Sequence, residues 1–490
     1  MSSSVSRCRA DAESIHRTDI LIIGAGPSGL TAADRLVSAG RRPLIVERSP
    51  HVGGLMRSLR HGRFTVDLGR KELYARIPEI DALWTGLLGD ALKPYSHRIG
   101  SLFAGRILEL AGKFRGPTRG MPPGLLMRGG WDLVRGWIDG AMRRPDSYER
   151  FWHQRTGRRF AQVLAQGYWE KFRGRPWRDM PVPEELADGE RGGSHSFAAV
   201  AQGLRLAARG GVGRQSSWRH PALGTGQLTD QLARRVRQGG GEIRLETEVV
   251  ALAPDADQSF SVTLRHRGDA IRCHVGTVIS SLAPDALQSL LVPGDEHGRA
   301  DPTRCVVMVY LFLDEPPRFP HAWLEVNDPM VQAGRITNYA AFGGDMVPPG
   351  MTALCVEFFL DEDDPRHGRS DGDWITLAID ECRSNRLIRP DHLIDTRIHR
   401  LTRCNAAASW REAQDRRHGA FYQRLPLYPS LFHVNRPGTD WASFAGVCAA
   451  DAILAGNRRT FDARADPTRS YAASNEAATL MRSEVTCSAP

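Results

Sequence analysis

The stretch DILIIGAGPSGLTAADRLVSAGRRPLIVERSPHVGG, from Asp19 to Gly54, decides the fold of this chain. Its first five residues, Asp19–Ile23, form a short apolar run that is typical of a buried strand. The Ala/Leu-rich segment Leu30–Ala39 has the spacing of a helix, and a second strand is predicted over Leu44–Val46. This order of strand, helix and strand predicts an α/β fold.

Three glycines that follow the first strand, Gly24, Gly26 and Gly29, have the G-x-G-x-x-G spacing of a dinucleotide-binding loop. They permit a tight turn, close approach of the backbone to a pyrophosphate, and close packing of helix on strand. The phosphates would lie at the helix N-terminus, where free N–H groups favour anions. Glu47 ends the second strand, where a carboxylate can accept hydrogen bonds from ribose hydroxyls. The alternative is a glycine-rich turn in another α/β protein, which the strand, helix, second strand and terminal acid together disfavour.

The composition is that of an ordinary globular protein. Of its 490 residues, 41% are hydrophobic and 25% are charged. A chain of this length can form two or three domains with a large core. The net charge of +9 comes almost entirely from arginines that are scattered among acids rather than gathered in one basic run. We therefore expect no nucleic-acid partner, although a mildly basic surface favours an anionic small-molecule substrate.

The N-terminus lacks the apolar run of a signal peptide, and no stretch reaches the roughly 18 apolar residues of a membrane span. The eight cysteines include no C-x-x-C pair, and no cysteine–histidine cluster has the spacing of a zinc site. The sequence therefore predicts no metal, no integral membrane segment and a reducing, cytoplasmic location. It does not determine the oligomeric state.

The order of elements predicts a nucleotide-binding domain that two insertions interrupt. The segment Gly224–Gly240 has the pattern of a helix, EIRLETEVVAL that of one strand, and SFSVTLRH with IRCHVGTVISS that of a hairpin. Residues from about Ile80 to Ala208 are predicted to be largely helical, and a last helix to lie within Gly438–Gly456. The predicted segments are a tail (1–18), the nucleotide-binding domain (19–79, 216–290 and 421–465), a helical insert (80–215), a strand-rich substrate domain (291–420) and a second tail (466–490).

Taken in order, these motifs resemble the flavin-containing amine oxidase superfamily, within a branch similar to protoporphyrinogen oxidase and UDP-galactopyranose mutase. ERSPHVGGLMRS resembles the family's segment after the ribose acid, and FTVDLGRKEL its F-D-L-G-G-H segment beside the flavin ring. GYWEKFRGRPW resembles a Y-T-E-K-x-W-G-x-P segment of the mutase-like branch. LETEVVAL and VISSLAP resemble two later strands, and HVNRPGTDWASFAG resembles the final glycine-rich turn and helix.

The resemblance implies a Rossmann-like FAD-binding domain assembled from discontinuous segments, with a helical insert and a mixed-sheet substrate domain. It implies FAD as a non-covalent cofactor, because no histidine or cysteine lies in a family-matched attachment context. The residues that it implies for FAD binding are Gly24, Gly26, Pro27, Ser28, Gly29, Glu47, Arg48, Gly54, Leu55, Met56, Gly69, Val249 and Asn435.

The chain departs from the family near the expected flavin ring. Arg70 and Lys71 stand where the family often has Gly-His, and Arg173 stands where the mutases have a tryptophan that stacks on the substrate's uracil. With Lys171, these residues are our candidate catalytic residues. Lys71 would orient water or substrate or stabilise the reduced flavin, and Lys171 with Arg173 would attract an anionic substrate. The alternative is that all four are solvated cations of a loop and a helix end.

Three functional hypotheses follow from these observations. The first is an FAD-dependent oxidoreductase of the amine oxidase/protoporphyrinogen oxidase type that removes a hydride from a small organic substrate in a biosynthetic pathway. The second is a non-redox isomerase or transferase similar to UDP-galactopyranose mutase that uses reduced FAD, and the third is a flavin-binding scaffold without turnover. Lys71 and Arg173 favour the first over the second. The substrate is not determined, because it depends on the shape of a cavity between two inserts.

Overall fold

The computed structural model describes residues 16–74, 76–110, 121–182, 218–292, 303–406, 422 and 424–465. Within these residues, two sheets of seven strands each organise the fold. The strands are β1 His16–Ile23, β2 Leu44–Val46, β3 Ser58–His61, β4 Phe64–Asp67, β5 Leu92–Pro94, β6 Ile99–Phe103, β7 Arg106–Glu109, β8 Arg219–Pro221, β9 Glu242–Arg244, β10 Thr247–Pro254, β11 Phe260–His266, β12 Asp269–Ser280, β13 Thr303–Leu313, β14 Trp323–Val326, β15 Arg335–Asn338, β16 Thr352–Asp361, β17 Leu393–Ala406 and β18 Leu431–His433.

The helices alternate with the strands in the first sheet and form a group of their own in the middle of the chain. They are α1 Pro27–Ser38, α2 Pro78–Leu88, α3 Pro123–Met142, α4 Tyr148–Thr156, α5 Arg158–Ala161, α6 Gly167–Arg173, α7 Gly226–Gln238, α8 Pro284–Leu291, α9 Asp371–Ser384, α10 Thr439–Leu454 and α11 Arg458–Arg464. A π-helical turn over Gln162–Gln166 joins α5 to α6.

The first sheet combines strands from three distant parts of the chain. Its order is β10-β11-β12-β1-β2-β9, with β18 beside β12. Strand β1 runs parallel to β2 and β12, so that Ile23 lies opposite both Val46 and Ser280. Because the carboxyl ends of parallel strands meet at one edge of a sheet, the glycine loop after β1 lies where such folds bind ligands.

Helices α1, α7 and α10 pack on one face of this sheet around a shared apolar core. Helix α10 approaches α1 closely, because a side chain at Gly446 would overlap the carbonyl oxygen of Ser28. Phe444 and Leu30 are fully buried in this core. The C-terminal helix therefore completes the layer that the N-terminal strand begins.

The second sheet has the order β17-β13-β16-β15-β14-β6-β7 and is antiparallel except between β14 and β6. Residues alternate between its two faces, as in any strand. One face, which includes Val307 and Leu311, packs under α9 at Trp374. The opposite face, which includes Tyr310 and Trp323, packs against β3, β4 and α6. This second face is the one that adjoins the nucleotide-binding half.

The structure corrects several element boundaries. The predicted helical insert contains the three short strands β5, β6 and β7, whose length and mixed composition give only a weak strand pattern. EIRLETEVVAL forms the two strands β9 and β10 rather than one, because Glu246 turns the chain with a φ of +51°. Strand β1 begins at His16, within the predicted tail, and α1 begins at Pro27, since proline is compatible with a first helical turn.

Other expectations agree with the structure. The hairpin of β11 and β12 is antiparallel, and the segment 291–420, predicted to be rich in strands, contains β13 to β17. Residues 1–15, 183–217 and 466–490, which belong to the predicted tails and insert, lie outside the described residues. The domain boundaries as a set stay a prediction.

Candidate dinucleotide site and adjoining charged cluster

The glycine loop has one closed side and one open side. Gly24 has a φ of +102°, and side chains at Gly24 or Gly29 would overlap Ser281 and the carbonyl of Gly24, respectively. Gly26 differs, because nothing lies within 4 Å of the position that its Cβ would take. It is the N-cap of α1, and no side chain caps this helix. The first turn of α1, with Pro27 and Ser28, therefore presents backbone to open space, as a phosphate site requires.

Glu47 is fixed beside this loop by two backbone donors. Its Oε2 accepts a hydrogen bond from the backbone N–H of Ala25 at 2.9 Å, and its Oε1 accepts one from Ser49 at 2.9 Å. Each carboxylate oxygen retains a further lone pair for a ribose hydroxyl. The Glu47 carbonyl also accepts a hydrogen bond from the N–H of Thr247, which holds the start of β10, the strand that contains Val249, close to Glu47. Glu47 thus links the glycine loop to β10.

Gly53 and Gly54 pack against the glycine loop that follows β1. The N–H of Gly53 donates to the carbonyl of Ala25 at 2.7 Å, and a Cβ at Gly54 would lie 3.4 Å from the Cα of Gly26. Two residues further, Met56 Sδ lies 3.2 Å from Thr439 Oγ1 at the start of α10. The N-terminus of α10 therefore adjoins the same open region.

Four of the predicted cofactor residues lie at the edges of this region. Leu55 is exposed, and so is Arg48, which lines a shallow cleft with Glu248 on the outer side of the sheet. The side chain of Val249 is buried in the apolar core rather than open to a ligand. Asn435 donates from Nδ2 to the carbonyl of Ser281 at 3.0 Å and so joins the turn before α10 to the end of β12.

The segment that contains Gly69 is held rigidly between the two sheets. Asp67 is buried and accepts hydrogen bonds from Ser58 Oγ at 2.5 Å and from the N–H of Thr225 at 2.9 Å. The hydroxyls of Tyr310 and Tyr339 donate to its backbone carbonyl at 2.8 and 2.7 Å. Only glycine fits at position 69, because it has a φ of +71° and a side chain would overlap the carboxylate of Glu357. The backbone that precedes Arg70 and Lys71 is therefore held in one position.

Arg70 belongs to a compact polar cluster rather than to a solvated loop. Its Nη2 lies 2.5 Å from Glu72 Oε2, and its guanidinium lies 4.6 Å from the ring centroid of Trp323. Glu72 Oε1 contacts His97 Nε2 at 2.6 Å, and His97 stacks on Trp218 at 4.0 Å. Burial opposes ionisation of Glu72, but the hydrogen bond from His97 and the charge of Arg70 hold its pKa below the usual range. The cluster thus shields the ion pair of Arg70 and Glu72 from most of the bulk water.

A row of cross-strand neighbours continues this cluster across the second sheet. Arg335 pairs in register with Glu325 on one side and Glu357 on the other, and its guanidinium makes two bonds of 2.6 Å with Glu357. Its Nη1 also donates to the hydroxyl of Tyr168 at 3.2 Å. The full row is Ser101, Glu325, Arg335, Glu357, Met308 and His399.

Glu325 is the acidic residue of the row whose two neighbouring arginines, Arg70 and Arg335, are already paired with other carboxylates. Arg70 is held by Glu72 and Arg335 by Glu357, and no ion pair to Glu325 occurs in the described part of the chain. Burial raises the pKa of the Glu325 carboxyl to about 7, although the charges of Arg70 and Arg335 oppose this rise. Near neutral pH this side chain can therefore hold or release a proton.

The structure separates the four candidate catalytic residues. Arg70 and Lys71 follow Gly69, and Lys71 is partly buried beside the charged cluster. Lys171 lies elsewhere, since its Nζ donates to the carbonyls of Val326, Asp328 and Ala333 at 2.8 to 3.2 Å. These bonds use all three of its hydrogens and tie α6 to the β14–β15 connection.

Arg173 lies at the end of α6, 5.6 Å from the ring of Phe172 and 5.9 Å from that of Trp169. Sequence reasoning did not identify Glu325, Arg335 and Glu357 as site residues, because each stands in a strand that reads as ordinary alternation. The signal that could have found them is a charged residue on the inner face of an otherwise apolar strand. In the described part of the chain, no group of three or more metal-ligating side chains could hold a metal ion.

Sequence comparisons support the N-terminal assignment. A profile for NAD(P)-binding Rossmann-like domains matches residues 22–74. Thiamine thiazole synthase of Aeropyrum pernix is 58% identical over 38 residues, 8% of this chain and 14% of that protein. The 4,4'-diapophytoene desaturase of Staphylococcus aureus is 46% identical over 50 residues, 10% of each chain. The matches thus span about a tenth of the curated relatives and concern the nucleotide-binding segment.

Solved structures resemble the whole chain. Reduced UDP-galactopyranose mutase superimposes with a TM-score of 0.71 and 19% identity, over 91% of this chain and 98% of that one. A protein assigned as a protoporphyrinogen oxidase, from Exiguobacterium, gives a TM-score of 0.70 and 17% identity, over 91% and 100%. Putrescine oxidase with bound putrescine gives 0.58 and 14%, over 90% and 99%. The chain therefore shares its fold with these three proteins.

Proposed function

We propose that this protein is an FAD-dependent oxidoreductase that removes a hydride from a small organic substrate, by oxidation or desaturation, in a biosynthetic pathway. The observation that supports it best is the continuity of two features. An open glycine loop at Gly26 leads through Gly54 and Met56 to the Gly69 segment, and a buried charged cluster adjoins that segment on the second sheet. The glycine loop at one end of this region could bind a dinucleotide, and the charged cluster at the other end could orient a substrate and transfer protons.

The residues present fit an FAD. The backbone of Gly26 and the first turn of α1 would bind the pyrophosphate, and Glu47 would bind the ribose of the adenosine half. Gly69 and the N-terminus of α10 would lie at the flavin ring, whose reduced form is an anion that helix N–H groups stabilise. A bound flavin supplies hydride acceptance, which no side chain can provide.

The protein's own contribution is orientation, charge and proton handling. Arg70 is locked by Glu72 and Trp323, so it provides a fixed positive charge beyond Gly69. Glu325 provides a group that can accept the proton released when an N–H or O–H substrate loses a hydride, because its pKa lies near neutrality. Trp218 and Trp323 enclose His97 and limit the access of water to the cluster.

The first experiment tests the nucleotide site by a change that the fold itself tolerates. Gly26 has a φ of −84° and empty space beside its Cα, so Gly26→Val should fold normally and yet lose FAD, because the side chain would fill the phosphate position. Gly86→Val is the matched control, since Gly86 also has open space but lies on α2. Wild-type and Gly86→Val protein should purify yellow with one releasable FAD per chain. A colourless wild type, or equal FAD content in both variants, would refute the assignment.

The second experiment tests the reaction. Holoprotein is mixed anaerobically with a panel of amines, alcohols and saturated ring compounds, the flavin absorbance is followed, and air is then admitted. Bleaching by a member of the panel supports hydride removal. Turnover that requires prior chemical reduction of the flavin, with no bleaching by any substrate, would instead support the mutase-like reaction.

A further inference from the structure

The helix α3 carries an apolar stripe that the rest of the described chain leaves uncovered. Met127, Trp131, Val134, Ile138 and Met142 are spaced by three or four residues, and each exposes between 44% and 77% of its surface. At 3.6 residues per turn these five side chains lie on one face of the helix. Such a continuous exposed stripe is unusual for a soluble surface and marks an interaction site.

The opposite face of α3 shows that the stripe is not a misplaced core face. Gly129 and Gly136 are buried, and side chains there would overlap the ring of Phe160 and the carbonyl of His153. Helix α3 therefore packs closely on α4 and α5 through its glycines. Its apolar residues point away from this packing, so the described part of the fold does not cover them.

The charges of α3 are sorted between the two faces. Asp132 and Asp139 face inward, where they form ion pairs with Arg159 at 2.7 Å and with Arg150 at 3.1 Å. Arg128 and Arg135 are exposed beside the stripe, and the guanidinium of Arg135 lies 5.4 Å from the ring of Trp131. The outer rim of the helix is therefore positive, since its acids are already neutralised.

A positively lined cleft opens along the same rim. It has a volume of about 600 Å³ and lies between α3, α4 and α5. Arg135, Arg158 and Arg159 line it together with the two paired aspartates. A phosphate group on a ligand that covers the stripe could enter this cleft while apolar chains contact the stripe.

We propose that α3 binds peripherally to an anionic membrane surface, with its apolar stripe in the interface and its arginines on the lipid phosphates. An amphipathic helix with Trp, Val, Ile and Met on one face and arginine at the rim lies in the plane of a bilayer. A second copy of this chain is disfavoured as the occupant, because two α3 helices would bring rims of like charge together without acids to pair them. The helix does not span the bilayer: no helix in the described ranges is long and apolar enough to do so.

The test measures vesicle binding of the full-length holoprotein by co-sedimentation. The vesicles are phosphatidylcholine alone or an equimolar mixture of phosphatidylcholine and phosphatidylglycerol. We expect the lipid concentration for half-binding to be at least about tenfold lower on the anionic vesicles and to rise with salt. The triple variant Trp131→Ser/Val134→Ser/Ile138→Ser should raise it at least about tenfold.

Two further variants make the result specific. Met330→Ser/Leu427→Ser removes two exposed apolar side chains outside α3 and should bind as wild type does. Arg128→Ser/Arg135→Ser should abolish the preference for anionic vesicles and keep the weak binding to neutral ones. Circular dichroism, thermal midpoint and FAD content should not change in any variant, which separates this proposal from the function of the nucleotide site.

Three results would overturn the proposal. They are failure of the wild type to bind either vesicle, equal binding by the triple variant, and a wild-type dimer in light scattering that the triple variant converts to a monomer. The last result would show that a second copy covers the stripe.

Discussion

Glu325→Gln should stabilise the protein at alkaline pH and leave its stability unchanged in acid. No ion pair to this carboxyl occurs among the described residues, and desolvation raises its pKa to about 7 from the usual 4.5. The folded chain therefore binds this proton more tightly than the unfolded chain does. The contribution of this carboxyl to the free energy of unfolding is greatest below about pH 4.5, falls as the pH rises from about 4.5 to 7, and is lowest above about pH 7. A neutral amide at position 325 does not titrate, so the variant should not show this fall.

The expected size follows from the two pKa values. A pKa of about 7 instead of 4.5 corresponds to about 3 kcal/mol, at about 1.4 kcal/mol for each tenfold change in proton affinity. Unfolding entropy scales with chain length, so for a single cooperative transition of this size about 3 kcal/mol corresponds to on the order of 3 °C in thermal midpoint. We expect Glu325→Gln to melt above wild type by about this amount at pH 8 and to melt together with it at pH 4.5.

Scanning calorimetry of both holoproteins at half-unit pH intervals measures this difference. Asp269→Asn is the control, because Asp269 is an exposed acid at the start of β12, and its removal should leave the pH dependence of the midpoint as it is in wild type. A Glu325→Gln variant that is less stable than wild type at pH 8 would refute the reasoning, because it would mean that an ionised Glu325 makes a favourable pairing in the folded chain.

Three further substitutions separate binding, catalysis and support. Glu47→Ala should weaken FAD binding by about 1–3 kcal/mol in equilibrium dialysis, since it removes the acceptor for ribose and for the N–H of Ala25. Lys71→Met should retain FAD but slow flavin reduction or its reaction with O₂ by roughly tenfold to a thousandfold in stopped-flow measurements, and unchanged rates would exclude a catalytic role. Lys171→Met should lower the free energy of unfolding in urea titrations by about 2–4 kcal/mol, because three carbonyls lose their donor. The kcat per folded enzyme should stay near wild type, and a large loss of kcat without a loss of stability would contradict this role.

The nucleotide-binding half could be predicted because its signals are local. The spacing of Gly24, Gly26 and Gly29 and the position of Glu47 depend on backbone geometry within about thirty residues, and the structure arranges them as the motif requires. The sequence predicts that the first helix begins at Leu30, whereas it begins at Pro27, because proline is compatible with a first helical turn.

The charged cluster could not be predicted, because it depends on contacts between distant segments. Arg335 and Glu357 become neighbours only through the register of β15 and β16, and Glu357 approaches Gly69 only when the two sheets pack. Lys171 shows the opposite case. Its position beside Arg173 in the sequence suggests a cationic patch for an anionic substrate, whereas its three carbonyl partners lie more than 150 residues away and could not be inferred from its neighbours.

The close contact between α1 and α10 has a consequence for the order of biosynthesis. The ribosome releases β1 and α1 first, yet the partner strand β12 is more than 200 residues away, and the Gly446 surface that seals α1 follows only near the end of the chain. At bacterial to eukaryotic elongation rates this interval is roughly 20 to 80 s. Until α10 is synthesised, the side of α1 that α10 covers has no native partner, although α7 is already available to the rest of the shared core. Because the N-terminus of α10 adjoins the proposed nucleotide site, we expect fragments that end before α10 to bind no FAD.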